Sequence, residues 1–280
     1  MTAAAAGAGE VVPEDAVTVI VLRDAPPGRG WRGSLEVLLL ERHGSSAFAP
    51  GALVFPGGKI DVTDGLLDRS RVRCADPDGW AERLGVASAD AAITLLVAGI
   101  RETFEEAGVL LAVRSDGTDL TARPLPAEEL AATRGRMAAR DGAYDWRAWL
   151  ERHELVLDLD AVSMWSWWVT PAGLPRRYDT RFLVAAMPAD QQAAHDDVET
   201  TALRWIRPVD ALAEHAAGRL HMIYPTRCTL EQLSAHPDRD SALRAARTGA
   251  VDLRRIEPVV VRVDGEPMVQ HPDGGPPAKV

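Results

Sequence analysis

Cysteine is almost missing from this 280-residue chain, with only Cys74 and Cys228 present and far apart in sequence. Two such residues make neither a disulfide framework nor a zinc-ligand spacing, so a reducing cytoplasm is the expected setting. Lysine is scarcer still relative to arginine: Lys59 and Lys279 are its only instances, a usage that suggests a GC-rich genome and says little about chemistry. Positive charge is in deficit overall, 31 Lys and Arg against 41 Asp and Glu, for a net charge of −10. That balance argues against a nucleic-acid backbone or an anionic membrane as partner. No apolar run reaches the length of a membrane span, and the Ala/Gly-rich start, residues 1–9, lacks the basic segment of a secretory signal. There is no internal repeat. What remains is a chain with 46% apolar residues, long enough to bury a full core in one large domain.

The chemistry concentrates in Arg101-Glu102-Thr103-Phe104-Glu105-Glu106-Ala107-Gly108. The apolar-rich run before it reads as a helix over 90–107, with Ile93, Leu96, Val97 and Ile100 repeating at helical spacing toward a sheet. Glu105 and Glu106 follow Glu102 by three and four residues, so the three carboxylates share one helix face. Such a cluster repels itself, and a hard divalent cation, Mg2+ or Mn2+, relieves the repulsion. A solvated acidic face is the competing reading for the cluster alone. Gly108 supplies the helix stop, and a strand is expected over 109–113.

Upstream stands Phe55-Pro56-Gly57-Gly58-Lys59-Ile60-Asp61. A Pro-Gly-Gly turn followed by an Arg-Glu-x-x-Glu-Glu-x-Gly helix resembles the box of the Nudix hydrolases, G-x5-E-x7-R-E-U-x-E-E-x-G-U with U aliphatic. Thr103 stands at the first aliphatic position and Asp64 at the first glutamate. Between Asp64 and Arg101 lie 36 residues, an insertion of 29 into the pattern. The Nudix branch similar to the peroxisomal coenzyme A diphosphatases of animals carries a long insertion at the same place. Its resemblance extends to Trp168-Val169-Thr170-Pro171 and Arg177-Tyr178-Asp179-Thr180-Arg181-Phe182.

The resemblance implies an α/β fold, an α/β/α sandwich around a mixed sheet, with helical insertions. It implies that Glu102, Glu105 and Glu106, with the Gly57 carbonyl, hold Mg2+ or Mn2+, and that Arg101 braces the glutamates. Metal-bound water would then attack a diphosphate. It places Glu199 as a further ligand or general base, with Asp196 and Asp197 as alternates. Arginines here suit bidentate phosphate binding, Arg181 first and Arg177 second. Arg42 belongs to a coenzyme A-type segment before the box, similar to L-L-T-x-R-[SA]-x3-R-x3-G-x-V-x-F-P-G-G. His43 and Ala47 depart from that segment, and Ala47 removes one phosphate clamp. The substrate class is therefore a small nucleoside diphosphate derivative, with coenzyme A, NADH, ADP-ribose and dinucleoside polyphosphates all open. A non-catalytic nucleotide-sensing module and an interaction protein with a merely solvated Glu face are the other readings. A homodimer is compatible with the family.

The remaining elements are compatible with one domain over 14–264, between flexible tails 1–13 and 265–280. Strands are expected over 15–23 and 35–42, forming an antiparallel hairpin. The box insert, about 65–88, is expected to cover or border the site, and a second helical insert, about 126–152, to join it in a cap. Trp165, Trp167 and Trp168 fall within four residues. Regular alternation puts the first two on one face and Trp168 on the other, where it could stack a base.

Overall fold

The computed structural model describes residues 11–26, 34–44, 49–139, 144–195 and 200–279. Its strands, in chain order, are β1 (Glu14–Asp24), β2 (Leu35–Arg42), β3 (Leu53–Val54), β4 (Gly57–Lys59), β5 (Val72–Arg73), β6 (Ala112–Arg114), β7 (Leu155–Asp158), β8 (Val162–Val169), β9 (Tyr178–Ala186), β10 (Thr200–Ile206), β11 (Arg255–Ile256), β12 (Val259–Val263), β13 (Glu266–Gln270) and β14 (Ala278–Lys279). The helices are α1 (Pro77–Leu84), α2 (Ala89–Ala107), α3 (Ala127–Ala138), α4 (Trp146–Arg152), α5 (Pro208–Ala216), α6 (Tyr224–Leu233) and α7 (Arg239–Arg247).

β1 and β2 form the expected hairpin, with Leu22 opposite Val37. The central sheet runs β10-β2-β1-β9-β8-β11, with β3 added to β2 and β4 to β1. β1 runs parallel to β9 and β11 parallel to β8, while β2 and β10 pair antiparallel, so the sheet is mixed. Alternation along β1 sorts its two faces. Val17, Val19 and Val21 enter one core with α1, α2 and α4, whereas Ile20 and Leu22 enter a second core with α5, α6 and α7. The product is the α/β/α sandwich expected. Gly99 explains how closely α2 approaches β1: a Cβ there would stand 3.0 Å from Val17 Cγ2 and 3.3 Å from Val19 Cγ2. No single helix among the described residues is long and apolar enough to cross a membrane.

Four expectations need correction. The strand over 109–113 shrinks to β6, because Leu110 already has a neighbour: the Gln191 carboxamide accepts from Leu110 N at 2.8 Å and donates to Leu110 O at 2.8 Å. The tail 265–280 is not loose through its length, since β13 pairs with β12 and β14 with β13, and Val269 is buried in the second core. Asp264 and Gly265 both take positive φ (51° and 88°) between Val263 and Glu266, a two-residue Asp-Gly hairpin turn. The tryptophan alternation fails because β8 has a register shift between Met164 and Ser166. One extra residue returns Trp165 to the face of Trp168, both buried in the second core, while Trp167 packs on the first. The box insert folds onto the back of α2 rather than over the site: Trp80 and Leu84 of α1 are buried in the first core, and β5 joins a small sheet with β7 and β6. The second insert is α3 and α4, and the break near Gly142 lies outside the described residues.

Candidate active site

Burying Ile93, Leu96, Val97 and Ile100 fixes the rotation of α2 and so aims Glu102, Glu105 and Glu106 at the Pro56-Gly57-Gly58 turn. That turn is held as β4, with Thr18 opposite Gly57 and Val17 opposite Gly58. The Gly57 N–H donates to Glu106 Oε2 at 2.9 Å. A Cβ on Gly58 would lie 2.6 Å from the Glu102 carboxyl carbon, so a side chain here would displace Glu102.

Arg101 ties the wall together. Its Nε and Nη2 donate to the two oxygens of Asp64 at 2.7 and 3.0 Å. Its Nη1 donates to Glu102 Oε1 at 2.8 Å and Glu105 Oε2 at 3.4 Å, and its Nη2 also reaches Lys59 O at 3.2 Å. Burial alone would push this guanidinium toward neutrality, but Asp64 and Glu102 more than reverse that, leaving its pKa raised and its charge permanent. Asp64, almost wholly buried, also accepts from Asp61 N at 2.7 Å. The bracing expected of Arg101 is therefore present, with the shorter aspartate in the first acidic position.

Three carboxylates beside a glycine turn are hard oxygen donors of the kind Mg2+ or Mn2+ takes. Yet among the described residues no three His, Cys, Asp or Glu side chains converge as a formed metal shell. Glu102 and Glu105 turn to Arg101, and Glu106 turns to the Gly57 amide. The donor set suits a cation, whose binding would redirect these carboxylates.

The wall opens on a cavity of about 1160 Å³. Its charged part holds Arg42, Lys59, Arg101, Glu102, Glu105 and Arg136. Its other part, lined by Phe55, Trp168, Leu174, Phe182, Tyr224 and Val269, is apolar and aromatic.

The residues named from sequence divide. Arg42 lines the cavity. Trp168 lines it too, but it is a buried wall rather than a free stacking platform, edge-on to Tyr224 with ring centroids 5.9 Å apart. Arg177 and Arg181 are not phosphate clamps. Arg181 is buried, pairs with Asp15 and Asp179, stacks on Trp167 and donates from Nε to Leu84 O at 3.1 Å. It fastens the end of the box insert to the sheet. Arg177 pairs with Glu257 and donates to Thr170 O at 3.0 Å and Val11 O at 2.9 Å, tying the segment before β1 to the end of β8 and to the residue after β11. Two partners of Arg181 are acidic residues of the protein itself, which leaves its charge neutralised. Glu199, with Asp196 and Asp197, lies outside the described residues.

Two arginines of the second insert escape the sequence reading. Arg134 of α3 donates to the last carbonyls of α2, with Nε at 3.0 Å from Phe104 O and Nη2 at 3.2 Å from Glu106 O. Arg136, Met137, Tyr144 and Trp146 reach the cavity. Arginine close behind the acidic helix was the available signal, but nothing in the sequence says which way α3 faces.

Residues 80–233, more than half of the chain, match the model of the NUDT19 Nudix domain. The chain belongs to the NUDT19 Nudix family. Among similar curated proteins, the acyl-coenzyme A diphosphatase NUDT19 of Gallus gallus is 29% identical over 242 residues, covering 74% of this chain and 64% of the relative. The Homo sapiens acyl-coenzyme A diphosphatase NUDT19 is 30% identical over 216 residues, covering 66% and 56%. This Nudix chain thus spans less than two thirds of the length of these relatives. A crystal structure of a Nudix hydrolase from Alicyclobacillus acidocaldarius, 27% identical, superposes with a TM-score of 0.67 over 83% of this chain and 96% of that one.

Proposed function

We propose that this chain hydrolyses the diphosphate bond of coenzyme A or its thioesters. The observation that carries the reading is one cavity with two unlike parts: Glu102 and Glu105 beside the glycine turn, and an apolar part around Phe55, Leu174, Phe182 and Tyr224. A diphosphate belongs at the first, and a pantetheine arm with its acyl chain fits the chemistry of the second. The names of the Gallus gallus and Homo sapiens relatives support the same substrate class.

Bound Mg2+ or Mn2+, held by Glu102, Glu105, Glu106 and the Gly57 carbonyl, would supply a water of lowered pKa and neutralise diphosphate charge. The protein's own part is positional. Arg101 keeps Glu102 and Glu105 on one side of the turn, and the Gly57 amide orients Glu106. Glu199 is the proposed proton acceptor, with Asp196 and Asp197 as alternates. Arg42 is proposed as a phosphate contact from β2.

A hydrolysis screen with Mg2+ over coenzyme A, its thioesters, NADH, ADP-ribose and diadenosine polyphosphates tests the reading. Coenzyme A compounds should be cleaved best, and Glu106→Gln should lower kcat by at least about a hundredfold while leaving the fold intact. Retention of more than about a tenth of kcat by Glu106→Gln would sink the ligand assignment. Preference for NADH or dinucleoside polyphosphates would sink the substrate.

A further inference from the structure

The apolar part of the cavity has a direction, and strand register gives it. Gly57 stands opposite Thr18 on β1, and Thr18 opposite Phe182 on β9. Two residues back along β9, Thr180 stands opposite Trp168 on β8, and Trp168 opposite Ile256 on β11. Thr18, Thr180, Phe182 and Trp168 all line the cavity, so it runs from the glycine turn across β1, β9 and β8 toward β11. At about 4.8 Å between neighbouring strands, β4 to β11 is a span of roughly 19 Å. The sheet stops at β11, and the chain continues through Pro258 into the β12–β13 hairpin. Pro258 and Val269 both line the cavity at that end.

This end is enclosed and apolar. Phe55, Trp168, Phe182, Tyr224 and Val269 are each at most 8% exposed. The polar atoms of its two largest rings are already taken. Trp168 Nε1 donates to Ser166 Oγ at 3.1 Å, and the Tyr224 hydroxyl is hydrogen-bonded to the Cys228 sulfur and the His271 backbone. A nucleobase buried here would turn its own donors and acceptors toward mostly aromatic and aliphatic groups, a cost that an alkyl chain does not meet. The hairpin is fastened against this wall. His271, the residue after β13, is edge-on to Trp168 with ring centroids 5.9 Å apart, and Asp273 pairs with Arg254 just before β11.

We propose that this enclosed end is an acyl-chain subsite whose end wall is Val269 with Pro258, so that the C-terminal hairpin sets the longest acyl chain accepted. The subsite rests on the reading of the substrate as a coenzyme A compound and narrows it to the thioesters. With the diphosphate at the glycine turn, the pantetheine arm and acyl chain run past Phe55 and Phe182 toward the hairpin. Each methylene buried before the wall adds about fourfold to kcat/KM. The first methylene to meet Val269 loses that gain, because a packed wall yields to extra volume only with strain.

The test measures kcat/KM for straight-chain thioesters from acetyl- to palmitoyl-coenzyme A, each as a ratio to coenzyme A, in wild type, Val269→Ala, Val269→Ile and Val269→Phe. In wild type the ratio should rise with chain length and then fall. Val269→Phe should move the fall to shorter chains, lowering the ratio for the best wild-type thioester about tenfold or more, and Val269→Ala should move it to longer ones. If Val269→Phe is not folded by circular dichroism, Val269→Ile carries the test, with a drop of about fourfold for its added methylene. A general loss of stability would lower every substrate alike and leave the ratios unmoved. A wild type with no fall, or ratios within twofold of wild type in every folded variant, overturns the wall. Cleavage of coenzyme A but of no thioester overturns the subsite and leaves the coenzyme A reading standing. If wild type cleaves no coenzyme A compound, that reading falls, and calorimetric titration with S-acyl-pantetheines of the same chain lengths, which carry no diphosphate, decides the subsite. Binding weakened in Val269→Phe or Val269→Ile supports the wall, and absent or unaltered binding overturns it.

Discussion

Removing Arg101 is the sharpest perturbation the site allows. Its side chain is 10% exposed and that of Asp64 is 0% exposed. In Arg101→Ala the Asp64 carboxylate keeps the Asp61 N–H but loses both guanidinium bonds, 2.7 and 3.0 Å long. Glu102 and Glu105 lose their shared cation at the same time. Stranding a buried charge in this way costs about 3–5 kcal/mol, mostly as desolvation no longer compensated. For a chain of this size that corresponds to a fall in Tm of roughly 6–10 °C. The assay is thermal and urea unfolding in chelator, so that no cation masks the exposed repulsion. Arg101→Ala combined with Asp64→Asn removes the stranded charge and should recover about half of the lost stability. A loss below about 1 kcal/mol in Arg101→Ala, or full additivity of the two substitutions, would refute the brace.

Arg181→Ala should destabilise by about 2–4 kcal/mol, with kcat/KM of the remaining folded enzyme within threefold of wild type. Unfolding curves together with kinetics below the transition separate that outcome from a raised KM, which would return Arg181 to substrate binding. Arg134→Ala should cost about 1–3 kcal/mol and lower kcat more than it raises KM, because it loosens the turn that carries Glu105 and Glu106. Hydrogen exchange at the end of α2 should quicken in that variant, and unchanged exchange there would sink the coupling.

The parts of the site that sequence makes legible are those fixed by local spacing. Carboxylates three and four residues apart share a helix face in any fold, and a Pro-Gly-Gly turn followed by that helix already carries the Glu102 and Glu106 contacts. Arginine is different, because its partner decides its role. Asp15 meets Arg181 across 166 residues of sequence, and Glu257 meets Arg177 across 80, so neither pairing has a local signature. The bulge at Met164–Ser166 is equally silent, and it alone reverses the faces of the tryptophans. The Asp264-Gly265 hairpin is the exception: an Asp-Gly pair between alternating residues was a readable signal, outweighed by the Gly and Pro content of the tail.

The second insert resolves a conflict built into α2. A helix carboxyl end carries a partial negative charge, which disfavours anionic side chains in the last turn. α2 nevertheless places Glu105 and Glu106 there and has no basic residue of its own in that turn. Arg134 brings the missing positive charge from α3 and donates directly to the carbonyls of Phe104, Glu105 and Glu106. It also holds Ala194 O at 2.6 Å, and Ala194 N donates to Ala107 O at 2.9 Å, so the segment leading toward Glu199 is anchored to the same helix end. One guanidinium thus fixes the glutamate turn, the insert and that segment together. The insert that neutralises the helix end is also the one that carries Arg136 to the cavity.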